Sequence, residues 1–246
     1  VGYSAAVIMG FSDSAVRNLF LDLRTNASRT NGIQIGEHGA ASRASDCEIT
    51  GCRVHGWATH QYLLYVKKAD RCRLVGNTIR GLPAGSTTED CCGIEVFGSS
   101  ATEVASNNIA NCGPGITVKT QADVPDSYLL NVSVHDCVVD TCHNGIVVSV
   151  TSGTGNASSN LTVRNCIVTN MTNRGCSLEF GVGAIARNLA LSGNTLREAA
   201  NGCLVIDGDA SATADALLID GNTVIQTGGT SAGIYVKGVT AALIVS

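Results

Sequence analysis

Aromatic residues and proline are scarce in this chain: Phe, Trp and Tyr make up 4% of 246 residues, and only three positions are Pro. A core of stacked rings is excluded, so any core must be assembled from many small aliphatic contacts. Charge is scarce as well, at 15% Asp, Glu, Lys and Arg with a formal net charge of -4. No basic run is longer than Lys67-Lys68, which removes the electrostatic footprint of a nucleic-acid binder. Nothing approaches the ~20 consecutive apolar residues of a membrane-spanning helix, and the N-terminus has no basic segment leading into an apolar one. Sustained three-to-four spacing of apolar residues, the mark of an amphipathic helix, is missing too.

What the chain does have is a recurring phrase. An aliphatic residue stands three positions before a bend residue and another stands two after it, as in Val104, Asn107 and Ile109. The bend residues are Leu19, Cys52, Asn77, Asn107, Cys137, Cys166, Asn194 and Asn222, spaced 25 to 33 residues apart. Alternation on both sides of the bend predicts two short strands meeting at a corner. A second half of the phrase, Gly115-Ile116-Thr117-Val118 and its counterparts at Ile33, Leu64, Ile94, Ile146, Cys176, Cys203 and Ile234, predicts a third strand. Three short strands cannot bury an apolar face alone, but stacked repeats share one continuous core. The expectation is a single domain over residues 1-246. Both ends fall within a repeat, which reads as a segment of a longer solenoid.

This pattern, Val-x-x-Asn-x-Ile followed by a polar loop and Gly-Ile-x-Val, resembles the pectin-lyase-like superfamily over roughly Val7 to Val245. The resemblance implies an all-β, right-handed single-stranded parallel β-helix of about eight to nine coils, with three short strands per coil. It also implies stacked side-chain amides at the bends, with Asn77 and Asn107, then Asn194 and Asn222, as rungs of a ladder. Cys52, Cys137 and Cys166 take the same place, where a thiol fits but cannot make an amide's bonds, so the ladder is expected to break in the middle. Function is left wide, since that superfamily holds polysaccharide lyases, glycoside hydrolases, uronate epimerases, phage tailspikes and adhesins.

Eleven cysteines follow the repeat rather than any metal-binding spacing. Cys47 and Cys72, Cys112 and Cys142, Cys137 and Cys166, and Cys176 and Cys203 are expected to share positions in successive coils. Parallel Cβ vectors at the ~4.8 Å strand spacing suit free buried thiols better than disulfides. If a bridge exists, Cys112 with Cys142 is the first choice. The sequons at Asn26, Asn131, Asn156, Asn160 and Asn170 are those expected by chance in a chain rich in Asn, Ser and Thr.

In the resembled family the substrate groove runs along the outer face of the Gly-Ile-x-Val strand. Alternation puts Tyr65, Lys67, Glu95, Phe97 and Lys119 there on three consecutive coils, with Val147, Glu179, Leu204 and Ile206 further along. Neighbouring loops add Trp57, His60, Glu89 and Asp90. Aromatic platforms beside charges suit a sugar face. As catalytic candidates, Glu95 with Asp90 would supply the two carboxyls of a glycosidase, while Lys67 or Lys119 with His60 would supply the base and cation of a lyase or epimerase. Trp57, Tyr65, Phe97, Glu89 and Glu179 are the substrate-binding candidates. The competing reading of Lys67, Glu95 and Lys119 is a solvated cross-strand charge ladder.

No complete catalytic signature is present: Asp-Asp on the strand, Gly-His-Gly and Arg-x-Pro are all missing. No cofactor is implied, although the acidic loops at Asp123/Asp126 and Asp207/Asp209 are of a kind Ca2+ could use. The partner implied is a polysaccharide, with no nucleic acid and no membrane. Trimerisation through flat faces is the oligomer expected of such a shaft, with Val147, Leu204 and Ile206 as its apolar strip. The expected setting is extracellular, cell-surface or virion. A receptor-binding or structural solenoid without catalysis stands as the alternative to an enzyme.

Overall fold

The computed structural model describes residues 4–24, 30–36, 43–56, 61–81, 91–121, 124, 127–151, 158–227, 232–238 and 240–245. Three parallel sheets of nine, nine and eight strands run the length of the molecule, and each turn of chain contributes one strand to each. The coil is right-handed and no helix occurs among the described residues. Sheet 1 holds the Gly-Ile-x-Val strands, sheet 2 the strands before the bend and sheet 3 those after it. Counted from the first to the last strand of the eight-stranded sheet, the stack makes seven complete turns, slightly fewer than the eight to nine coils read from the sequence.

The register shows why the phrase recurs. Ile49, Leu74, Val104, Val134, Val163, Leu191 and Ile219 stand directly over one another in sheet 2. Val54, Ile79, Ile109, Val139, Val168 and Leu196 do the same in sheet 3. All of these are buried. Each such Leu or Ile contributes on the order of 1.5–3 kcal/mol by leaving water, which is how a core poor in rings is built. The chain turns the corner before each bend residue on a single left-handed residue: Gly51, Gly76, Ser106, Asp136, Asn165, Gly193 and Gly221 all have positive φ. Glycine, or a short polar side chain, is what that conformation tolerates.

The glycine of the third strand answers to a different constraint. A Cβ on Gly115 would stand 2.8 Å from the carbonyl oxygen of Gly145 and would overlap Val139. At Gly93 the same added carbon would meet the oxygen of Gly115 at 2.5 Å. Successive coils approach too closely there for a side chain. In the penultimate coil Cys203 occupies that position, its backbone lying against Gly175. Cys176 therefore pairs with Leu204 and not with Cys203. This corrects the expected Cys176/Cys203 stack by one residue, a slip that exchanges the faces of everything after it. Leu204 and Ile206, expected outside, are buried at 1% and 0% exposure, and Val205 and Asp207 face outward in their place. Of the expected apolar strip only Val147 faces outward; Val205 joins it in the same column, and both are buried.

All eleven cysteines are free and buried. The bend amides stack as expected: the Asn107 Oδ1 accepts from both the backbone N and the Nδ2 of Asn77 at 3.0 Å, and the Asn107 Nδ2 donates to the Leu74 carbonyl at 2.8 Å. Asn222 holds Asn194 in the same way. Where Cys137 interrupts the series, its thiol still reaches the Val104 carbonyl, at 3.7 Å, so a weak form of the amide's bond survives. Two further ladders were not foreseen. Asn188 donates to Asn160 and Asn160 to Asn131 on the surface, at 3.0 and 2.7 Å, while Asn201 donates to Asn173 and Asn173 to Asn144, at 2.7 and 2.9 Å. Two of the chance sequons, Asn131 and Asn160, are thus structural amides.

Candidate functional site

The outer face of sheet 1 carries two in-register columns. One runs Tyr65, Glu95, Thr117, Val147, Ser177 and Val205; the other runs Lys67, Phe97, Lys119, Ser149, Glu179, Asp207 and Lys237. The strands concerned, from Gln61–Lys67 through Cys91–Phe97 and Pro114–Lys119 to Leu204–Gly208, are fixed by the buried residues between. The outward side chains therefore stand on a rigid floor.

Of the expected site residues, Lys67, Glu95, Lys119, Tyr65 and Phe97 come together. The Glu95 carboxylate, only 4% exposed, accepts an ion pair from the Lys119 Nζ at 2.9 Å. Burial raises the pKa of Glu95, while the charges of Lys119 and Lys67 oppose that rise. Lys67 is pushed the other way: burial lowers its pKa, with Lys68 and Lys119 adding to the effect against the pull of Glu95. Each ammonium is backed by rings. Lys67 Nζ lies 5.5 Å from the Phe97 centroid and 6.0 Å from that of Tyr65, and Lys119 Nζ lies 5.8 Å from that of Tyr62. Tyr62 stacks on Tyr65 at 4.7 Å and 27°. The row is thus a partly buried cluster and not a solvated ladder. Tyr65 and Phe97 are themselves buried, so its accessible groups are the two lysines and the edge of Tyr62.

Cys92 lies beneath this cluster, its Sγ 3.6 Å from the Thr117 Oγ1. Burial pushes its pKa up and keeps it a thiol. Glu179 does not join the cluster. It stands two strands beyond Lys119, where its Oε1 accepts from Arg174 Nη1 at 2.9 Å and Ser177 Oγ at 3.2 Å. Arg174 Nη2 also faces Asp207 Oδ2 at 3.5 Å.

Trp57, His60, Glu89 and Asp90 lie outside the described residues, as do Asp123 and Asp126. His55, two residues before Trp57, packs edge to face on Phe20 at 5.3 Å on sheet 3, away from the site. Of the other suggested calcium pair, Asp207 faces Arg174, and Asp209 accepts from the backbone N of Ser211 at 2.9 Å and closes its own turn. Among the described residues no group of three or more His, Cys, Asp and Glu converges as metal ligands.

Sequence reasoning missed Tyr62 and Arg174, and it read Asp207 only as a loop residue that Ca2+ could use, not as part of this face. Asp207 was lost to the one-residue slip at Cys203. Tyr62 and Arg174 both stand two positions before an inward residue, Leu64 and Cys176, where strict alternation predicts an inward side chain. The chain breaks alternation at this step. The signal available was a large polar or aromatic residue at a nominally inward position, which a narrow aliphatic core cannot hold.

The sequence profile described as "right handed beta helix region" matches residues 25–224. No curated protein sequence matches the chain. Among solved structures it is similar to the Dettilon tailspike protein, with TM-score 0.64 and 14% identity over 99% of this chain and 55% of that one. It is similar also to a hyperthermoactive exopolygalacturonase from Thermotoga maritima, with TM-score 0.63 and 13% identity over 88% of this chain and 54% of the other. A third is the mannuronan C-5 epimerase A-module of Azotobacter vinelandii, with TM-score 0.51 and 12% identity over 98% and 77%. The chain spans about half the length of the first two.

Proposed function

The chain belongs to the right-handed β-helix family, and from that premise we propose that it is a polysaccharide-binding solenoid whose binding face is the outside of sheet 1. One observation carries the reading. Lys67 and Lys119 share a single carboxylate, Glu95, and each is set against an aromatic ring. Among the described residues one ammonium is left without a carboxylate partner on a rigid sheet, which suits an acidic group on an extended glycan. The related folds include a tailspike of bacteriophage HK620 in complex with a pentasaccharide, an exopolygalacturonase and an epimerase of mannuronan. Those names concern those proteins, and they support a carbohydrate reading here. An extracellular or virion setting accords with it.

Within this reading Glu95 is an anchor for Lys119 and not a general acid, because its carboxylate is enclosed and committed to the ion pair. The test is a binding titration of the chain with polygalacturonate and with neutral dextran, together with an assay for new chain ends. The expected result is salt-sensitive binding of the acidic polymer, weakened about tenfold or more by Lys67→Ala, which is the loss of roughly 1.4 kcal/mol. Equal affinity for dextran would overturn the reading, and cleavage of the polymer by the parent chain would restore the enzymatic one.

A further inference from the structure

We infer that the glycan held on this face is zwitterionic, carrying carboxylates and free amines a few sugar residues apart; the inference rests on the polysaccharide-binding reading above. The outer face of sheet 1 is electrically two-ended. At one end Lys67 and Lys119 face Glu95, their one carboxylate among the described residues, with Lys68 beside Lys67. At the other, Glu179 and Asp207 share the single guanidinium of Arg174, at 2.9 and 3.5 Å. The side chains of both these carboxylates are more than a third exposed, at 37% and 36%. Lys237 follows Asp207 on the next strand but makes no ion pair among the described residues, and Asp209 adds a further negative charge just beyond the strand.

Between the ends the floor is uncharged and small. Ser149 is its accessible residue, and Thr117, Val147 and Ser177 beside it are outward but buried. From Lys119 to Glu179 is two strand spacings, on the order of 10 Å at ~4.8 Å per spacing. One spacing is close to the length of one pyranose unit in an extended chain, so a glycan lying along the solenoid axis meets the cationic end and the anionic end a few residues apart.

Simpler ligands can bind, but none matches both ends. A homopolymer of uronates would press carboxylates against Glu179 and Asp207, and like charges in register repel. A neutral polymer leaves the surplus ammonium and the surplus carboxylate both unmatched. A polycation reverses the fault. Only a chain bearing both signs complements both ends, with a uronate at Lys67 and Lys119 and an ammonium at Glu179 and Asp207.

The experiment compares two polymers of one backbone, alternating glucuronate and glucosamine, with the amines either free or N-acetylated, titrated calorimetrically into the full chain at pH 6 and low salt. The expected result is at least a tenfold preference for the free-amine polymer. Glu179→Gln/Asp207→Asn should erase that preference by weakening the free-amine form and strengthening the acetylated one, while Lys67→Ala should weaken both. Circular dichroism of each variant checks that the solenoid is intact. Equal binding of the two polymers by the parent, or a preference that survives the double substitution, overturns the inference and leaves polysaccharide binding standing. Failure of both polymers to bind sinks the binding reading and this one with it.

Discussion

Asn107→Ala should destabilise the centre of the solenoid by about 1–3 kcal/mol, since it strands the buried backbone N–H of Asn77. The Asn107 side chain is 1% exposed. Its oxygen accepts the Asn77 backbone N–H at 3.0 Å, and its nitrogen donates to the Leu74 carbonyl at 2.8 Å. The Leu74 carbonyl lies in the sheet 2 ladder opposite Val104 and keeps a partner there, but the Asn77 amide stands at the corner, between strands Arg73–Val75 and Thr78–Arg80. The Asn77 side chain fares better, keeping its bond to the Ile49 carbonyl at 2.9 Å. Global unfolding alone is an uncertain gauge in a stacked repeat, where nearest-neighbour terms can separate. Native-state hydrogen exchange supplies the local one: the amide of Asn77 should lose protection far more than that of Val134 in the next coil. Asn107→Cys should be intermediate, because Cys137 already reaches the equivalent carbonyl one coil later. An alanine variant within 0.5 kcal/mol of the parent, or no loss of protection at Asn77, would refute the assignment of the ladder as a source of stability.

Three further outcomes are expected. Glu95 has a folded-state pKa above the ordinary 4.5, so the folded protein holds that proton more tightly than the unfolded chain and stability falls as pH rises through the raised value; urea midpoints should show Glu95→Gln gaining on the parent as pH climbs from 4.5 toward neutrality, and a gap that narrows with pH contradicts this. Gly115→Ala should cost about 1–3 kcal/mol by overpacking against the Gly145 carbonyl and Val139, more than Gly76→Ala, where space is open and only the positive φ of 66° resists; thermal melts rank the two. The thiols should be inert toward iodoacetamide in the native protein, since burial pushes Cys72 and Cys176 up to about 12. All eleven should react on denaturation, and mass spectrometry showing rapid native labelling of either would contradict their placement.

The fold was legible because its determinants are local and repeated. Val104 and Ile109, three before and two after Asn107, fall in the columns expected of them, and so do their counterparts on neighbouring coils. Legibility failed where one residue type stood in for another. Cys203 takes the place of a glycine, and the motif glycine read at Gly202 lies one step too early, which hid Asp207 and sent Leu204 and Ile206 to the wrong face. The site was legible in half. Lys67, Glu95 and Lys119 follow from alternation, but Arg174 and Tyr62 sit where alternation breaks. The surface ladder of Asn131, Asn160 and Asn188 was invisible for a different reason: these residues share a column only because all three adopt positive φ, a property no pattern of hydrophobicity records.

In-register stacking makes the outer face of sheet 1 a ruler with fixed graduations. A whole coil inserted between Lys119 and Glu179 would leave every core column and every corner amide in place and move the two charged ends apart by one strand spacing, ~4.8 Å. A single residue inserted in a strand would instead turn the floor over. The distance between the ends can therefore change only in whole steps, and a lineage of such chains would explore ligand lengths as integers, each member matched to a polymer by counting.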